Sequence, residues 1–240
     1  MSSVPKTAMV LAAGLGTRMR PLTDNRPKPL IDVAGRTLLD RVLDPLAAAG
    51  VERAVVNVHY LAEQVEAALA ARTDLEIIIS DERTGALETG GALAKALPYL
   101  GEEPILVANT DAFWGPAGPE PVEALAQAFD PARMDVVLLL ADRERALGFN
   151  GPGDMLMNED GTLTRRGEAP SAPWAYAGLR IIKPQLYRDM PVEPFSALKI
   201  WDALIPDKRL HGVALDRFWL HVGDPTAHAD AEMWMRCHGA

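Results

Sequence analysis

The stretch Ala8–Leu30, AMVLAAGLGTRMRPLTDNRPKPL, constrains what this 240-residue chain can fold into more than any other. Its apolar opening, Met9–Leu11, reads as a short buried strand. Ala12, Ala13 and Gly14 follow with almost no side-chain bulk, so the strand ends in a tight turn. Gly14 and Gly16 leave main-chain N–H groups open to close approach by an anion. Arg18 and Lys28 add fixed positive charge, and Pro21, Pro27 and Pro29 stiffen the long loop between them. A strand that ends in bare amides and two cations is a place to hold a polyphosphate. Neither of two familiar phosphate loops is present. The Gly-Lys-Ser/Thr of a P-loop is missing, with Arg18 and Met19 in that region. The third glycine of the dinucleotide fingerprint is replaced by Met19.

The rest of the chain repeats a strand-then-helix rhythm. Thr7–Leu11 is the first strand. Thr37–Ala49 is an amphipathic helix with Leu38, Leu39, Val42, Leu43 and Leu46 on one face and Gly50 as its stop. Strands follow at Ala54–Val58, Leu75–Ser80 and Pro104–Ala108, and helices at Leu61–Arg72 and Glu88–Leu97. Val122–Phe129 reads as a helix and Asp135–Ala141 as an unbroken buried strand. This spacing predicts an α/β fold: a Rossmann-like, mostly parallel sheet with helices on both faces. The pattern then changes. Met155–Asn158 and Thr162–Arg165, joined by Glu159–Gly161, form a β-hairpin, followed by a strand at Trp174–Ile182. A helix at Phe195–Ile205, short strands at Leu210–Ala214 and Phe218–His221, and a helix at Pro225–Cys237 complete the reading.

Charge and cysteine usage narrow the function. The formal charge is −9, which disfavours nucleic-acid binding, since that needs a basic face. It leaves room for a nucleotide ligand, because a local Arg/Lys pocket outweighs distant, salt-screened acids. A single cysteine, Cys237, allows no internal disulfide and fits a reducing, cytoplasmic setting. No apolar run approaches the ~20 residues of a spanning helix, and MSSVPKT lacks the apolar core of a signal peptide.

In open α/β sheets ligands lie beyond the C-terminal ends of the strands. After the first strand comes the glycine loop. After the fourth come Asn109, Thr110 and Asp111. An acid there, beside a triphosphate, is the expected Mg²⁺ ligand, because Mg²⁺ takes one or two carboxylates plus phosphate oxygens; the alternative is a turn or helix-capping aspartate. After the third strand come Glu82 and Leu87-Glu88-Thr89-Gly90-Gly91. Gly90 and Gly91 open a helix and offer further bare amides, or else mark a glycine-capped loop with Glu88 favoured by the helix dipole.

The string AAGLGTRMRPLT…KPL resembles the signature of the sugar-1-phosphate nucleotidyltransferases. The resemblance implies a single nucleotidyltransferase domain over residues 1–240 of GT-A-like fold. Residues 1–141 would be its nucleotide-binding half, and 142–240 its sugar-phosphate half with the hairpin as insertion. It implies Mg²⁺ as cofactor and an NTP and a sugar 1-phosphate as partners, in a monomer or small homo-oligomer. Ala13, Gly14, Gly16, Thr17 and Arg18 would hold the triphosphate, Lys28 would reach the phosphates in flight, and Asp111 would bind the metal. LETGG, followed by NTDAFW, is similar to one branch, the uridylyltransferases acting on N-acetylmuramate 1-phosphate, so UTP is the favoured nucleotide. Glu82, Glu88 and Gly90 would then lie against base and ribose. Asn109, Asn150, Asp154, Tyr176 and Gly178 would line the sugar side, Asn150 and Asp154 resembling the family's Asn-Pro…Gly-Asp loop or being a plain glycine loop. A GTP-dependent mannose- or heptose-1-phosphate enzyme is the alternative within the family, and a non-catalytic nucleotide or sugar-phosphate binder the alternative outside it.

Two departures stand out. The family's Trp-x-Asp-Val-Gly-Thr-Pro, whose aspartate binds metal, reads Trp219-Leu220-His221-Val222-Gly223-Asp224-Pro225 here. His221 is a poor ligand for Mg²⁺, and Asp224 fits a helix N-cap before Pro225 as well as it fits a metal. Second, several hexose-1-phosphate members use a further lysine near the sugar phosphate. This chain has none between Lys95 and Lys183, leaving Arg143 and Arg145 as replacements or as solvated loop charges.

Overall fold

Aliphatic, β-branched runs form the strands of this computed structural model, which describes residues 3–238. The elements run β1 (Thr7–Leu11), β2 (Asp32–Val33), β3 (Arg36–Thr37), α1 (Leu38–Ala48), β4 (Arg53–Val58), α2 (Ala62–Ala70) and β5 (Glu76–Asp81). Then come α3 (Glu88–Leu100), β6 (Ile105–Asn109), β7 (Ala112–Trp114), α4 (Pro121–Ala128), β8 (Val136–Asp142) and β9 (Ala146–Leu147). The chain continues through β10 (Met155–Met157), β11 (Leu163–Arg165), β12 (Trp174–Ile182), α5 (Leu198–Leu204), β13 (Leu210–Ala214), β14 (Trp219–His221) and α6 (Pro225–His238).

β5, β4, β1 and β6 lie side by side and parallel. β12 enters antiparallel to β6, with β8 antiparallel on its other side and β13 parallel to β8. The hairpin β10–β11 continues the sheet from the N-terminal end of β12. The sheet is therefore mixed, with β12 reversed near its middle and β11 reversed at its edge. The register of β12 against β8 slips between Tyr176 and Arg180. Gly178, with φ +89°, takes up that bulge in a conformation that favours glycine.

Each face of the sheet has its own core. α1, α2 and α4 cover one face, where Leu39, Leu43, Val65 and Leu125 meet Val10, Val56 and Leu106. α3 and α5 cover the other, where Leu93, Ala96 and Trp201 meet Met9, Val107 and Leu138. The predicted helix from Phe195 begins only at Leu198, because residues 191–197 serve as a loop against α3. The sequence reading did not anticipate a second, three-stranded sheet, β9–β14–β7. Phe113 and Leu220 of that sheet pack with Met19, Leu38, Val222 and Ala231 as a third small core. Among the described residues no helix is long and apolar enough to cross a membrane.

An ion-pair cluster pins the far edge of the sheet. Asp135 accepts from Lys183 Nζ at 2.7 Å and from Arg209 Nη2 at 2.7 Å and Nε at 3.1 Å. These bonds join the approaches to β8 and β13 with the end of β12. The Arg209 hydrogen bonds hold the Asp135 carboxyl below its ordinary pKa, against burial and with help from Lys183. A depressed folded-state pKa means stability that is present above the unfolded value and lost as pH falls through the folded one. Asp135→Asn is expected to cost about 1–2 kcal/mol at neutral pH. The gap to wild type closes below about pH 4, as urea midpoints measured across that range will show.

Candidate active site

The main-chain groups after β1 are held open by side chains from neighbouring strands. The amide of Ala12 donates to Asn57 Oδ1 at 2.7 Å, and Thr110 Oγ1 donates to the Leu11 carbonyl at 2.9 Å. Beyond that root the amides of Ala13, Gly14, Leu15 and Gly16 meet no acceptor among the described residues. Gly14 has open space where a Cβ would stand. Gly16 has φ +62°, and a Cβ there would lie 3.0 Å from Thr23 and 3.1 Å from Lys28. This glycine therefore serves both the turn and the close approach of Lys28. Thr17–Met19 forms a single 3-10 turn that carries Arg18.

A cleft of about 410 Å³ opens at the C-terminal ends of these strands. Ala13, Gly14, Gly16, Thr17, Arg18, Lys28, Glu82, Glu88, Asn109 and Asp111 all border it. The structure thus brings together the two cations and the acid that the sequence singles out. Lys28, itself buried, places Nζ 3.3 Å from Asp111 Oδ2. Burial alone raises the Asp111 pKa; the Lys28 charge, then His221, then the Lys28 hydrogen bond outweigh it, so the carboxyl stays below its ordinary range. Asn109 Oδ1 is buried and meets no donor among the described residues.

Other predicted residues fall elsewhere. Glu82 borders the cleft but is 1% exposed, and both its oxygens are used, accepting from Asn57 Nδ2 at 2.9 Å and Leu87 N at 3.0 Å. It braces the glycine loop against the loop before α3 rather than offering oxygens to a ligand. Gly90 corrects the expectation of bare amides. Its N–H donates to Phe195 O at 2.8 Å, and Gly91 N–H donates to the same carbonyl at 3.3 Å. A Cβ on Gly90 would stand 2.2 Å from the Phe195 ring and 2.8 Å from its carbonyl oxygen. The glycine is there to admit the 191–197 loop. Gly90→Ala is expected to cost about 2 kcal/mol, or about 4–8 °C in Tm by calorimetry.

Of the residues expected to line the sugar side, Tyr176 is not among those bordering the cleft, and its Oη accepts from Arg180 Nη1 at 2.7 Å. Gly178 lies with its Cα face toward Asn109 and Ala112. Asp154 accepts the Tyr176 amide at 2.9 Å and so anchors β12, away from the cleft lining. Asn150 is exposed on its loop. Arg143 donates to the Pro152 carbonyl and Arg145 lies 4.0 Å from Asp216; neither borders the cleft.

The C-terminal departure resolves into two roles. Asp224 Oδ1 accepts from Ala227 N at 2.9 Å, so it caps α6, and it is not among the residues that border the cleft. His221 lies beside Asp111, with Nε2 3.9 Å from Oδ2 and Nδ1 3.2 Å from the Gly148 carbonyl. Among the described residues no three His, Cys, Asp or Glu side chains gather to form a metal cage. The donor set fits Mg²⁺ in one way: a single ionised carboxylate, Asp111, with the remaining positions left to phosphate oxygens and water. Sequence reasoning passed over Asn57 and Thr110 as part of the site; a buried amide and a buried hydroxyl at strand ends were the available signal.

Comparison with known proteins adds to this geometry. Residues 8–214 match the MobA-like NTP transferase domain. The N-acetylmuramate alpha-1-phosphate uridylyltransferase of Caulobacter vibrioides is 52% identical over 236 residues, covering 97% of this chain and 98% of that protein. The mannose-1-phosphate guanylyltransferase catalytic subunit beta of Drosophila pseudoobscura pseudoobscura is 31% identical across 91% of this chain, which spans 59% of that protein. Among solved structures, the inositol-1-phosphate CTP transferase from T. maritima shares the fold with a TM-score of 0.76, over 95% of this chain and 93% of that one, at 18% identity.

Proposed function

The chain belongs to the MobA-like NTP transferase domain family, and on that premise we propose that it transfers a uridylyl group from UTP to N-acetylmuramate 1-phosphate. The observation that carries this reading is the 52% identity to such an enzyme over almost the whole of both chains. Convergence of Arg18, Lys28 and Asp111 on one cleft supports it independently. The phosphate oxygen of the sugar 1-phosphate attacks the α-phosphorus of UTP. An O–P bond forms, the bond from the α-phosphorus to the bridging oxygen breaks, and pyrophosphate leaves with that electron pair.

The attacking phosphate monoester is already largely dianionic near neutral pH, since its second pKa lies near ~6. No general base is needed, and the task is to bring two anions together. The open amides of Ala13 to Gly16 and the Arg18 guanidinium take the β- and γ-phosphates. Lys28 follows the charge that develops as the pyrophosphate departs, and fixed donors in a shielded cleft do this without reorganising. Asp111 would hold Mg²⁺, which supplies further charge neutralisation at the phosphates. Glu82 and Asn57 keep the glycine loop and the α3 approach in register.

The test is pyrophosphate release with Mg²⁺, each NTP in turn and a panel of sugar 1-phosphates. Release confined to UTP with N-acetylmuramate 1-phosphate is the expected result. Release only with GTP and a mannose-type phosphate moves the assignment within the family. Tight nucleotide binding without release with any pair overturns it in favour of a binding protein.

A further inference from the structure

Arg180 is an arginine that the chemistry above does not use, and it is poorly compensated. It stands on β12, 1% exposed, on the sheet face covered by α3 and α5. Its Nη1 donates to Tyr176 Oη, and its guanidinium carbon lies 5.5 Å from the ring centres of both Tyr176 and Trp201. Nε and Nη2 are buried and meet no acceptor among the described residues, nor does any carboxylate pair with them. Tyr187 Oη and Trp201 Nε1 are likewise buried and unpartnered. Every unmet group here is able to donate. A buried cation among spare donors destabilises a fold unless something pairs with it, and an apolar side chain of similar size would serve the core better.

Its one partner points to the reason. A guanidinium has donors only. Tyr176 Oη must therefore accept from Arg180, and its own hydrogen must turn toward some other acceptor. The bulge at Gly178, two residues on, brings this part of β12 against Asn109 and Ala112. Tyr176 thus begins the irregular stretch of β12 whose Gly178 packs on Asn109 and Ala112, the residues on either side of Thr110 and Asp111. We propose that Arg180 is a positioning residue for the sugar 1-phosphate: it fixes Tyr176 as an obligate donor toward that substrate, and its buried charge is met when the phosphate dianion arrives. This rests on the uridylyltransferase reading.

Four variants decide it: Arg180→Met, Arg180→Lys, Tyr176→Phe and the double Arg180→Met/Tyr176→Phe. Each is titrated calorimetrically with N-acetylmuramate 1-phosphate and assayed for KM of both substrates. Arg180→Met and Tyr176→Phe are each expected to weaken the sugar 1-phosphate about tenfold, with KM for UTP within about twofold. The double variant is no worse than either single one, because both remove one device. Arg180→Lys keeps a charged donor and recovers most of the loss. Arg180→Met raises Tm by about 2–4 °C. Unchanged sugar-phosphate affinity, additive losses, or an equal rise in both KM values overturns the inference. Calorimetry needs no turnover, so pyrophosphate release by the wild type judges the uridylyltransferase reading separately. A wild type that binds no sugar 1-phosphate overturns the Arg180 assignment outright.

Discussion

Lys28→Ala is expected to lower kcat by about 10³-fold while the protein stays folded. Three observations set that size. The ammonium is buried at the floor of the cleft, it lies 3.3 Å from the acid, and Gly16 is a glycine partly to let the Lys28 stem come close. Among the described residues the other cation bordering the cleft is Arg18, on the exposed side. Removing Lys28 leaves Asp111 without its partner, but the carboxylate is 31% exposed and water enters the vacated space. The stability cost is therefore only about 1 kcal/mol, a few degrees in Tm. Circular dichroism establishes the fold and a coupled pyrophosphate assay reads the rate. Turnover within tenfold of wild type would remove Lys28 from the chemistry.

Asp111→Asn is the second large effect, and it carries a signature that Lys28→Ala lacks. With Asp111 as the carboxylate beside Lys28 that is proposed to hold the metal, its loss removes that charged hold on Mg²⁺. Turnover is expected to fall by about 10³-fold. The ratio of UTP affinities with and without Mg²⁺ should collapse toward one. Lys28→Ala instead weakens UTP in both conditions and keeps the ratio. Isothermal titration of each variant with and without a chelator separates the two. An Asp111→Asn protein that still binds UTP more tightly with Mg²⁺ would show that the metal sits elsewhere.

Much of this architecture is legible in the sequence because its signals are local. Hydrophobic runs of strand length with helical periodicity between them place β1, β4, β5 and β6, and glycines with cations mark the end of β1. What local signals cannot give is the partner of a polar group. Glu82 follows a strand and faces the cleft, yet its oxygens are consumed by Asn57, on a neighbouring strand, and by the Leu87 amide of the loop that follows. Gly90 and Gly91 look like a ligand cradle until Phe195, more than a hundred residues on, is seen to fill it. The second sheet escaped for a related reason. Strands as short as Ala112–Trp114 and Ala146–Leu147 carry no periodicity, and only their pairing with Trp219–His221 makes them strands. Asp224 illustrates the converse: Pro225 after it makes a helix cap one of its local readings, and its Oδ1 does accept the Ala227 amide.

Asp111 sits in the joint between two sheets. β6 of the large sheet ends at Asn109, β7 of the small one starts at Ala112, and the Asp111 carbonyl accepts from Val222 N at 2.8 Å, just past β14. Met19 and Ile31, on either side of Lys28 in the chain, pack against Phe113 and Leu220 of the small sheet. The spacing of acid and ammonium is therefore a mechanical property of how the two sheets abut. Repacking Phe113 or Leu220 would misalign the catalytic pair without touching either member, so sites of functional damage in this protein extend into an apolar layer that meets no substrate.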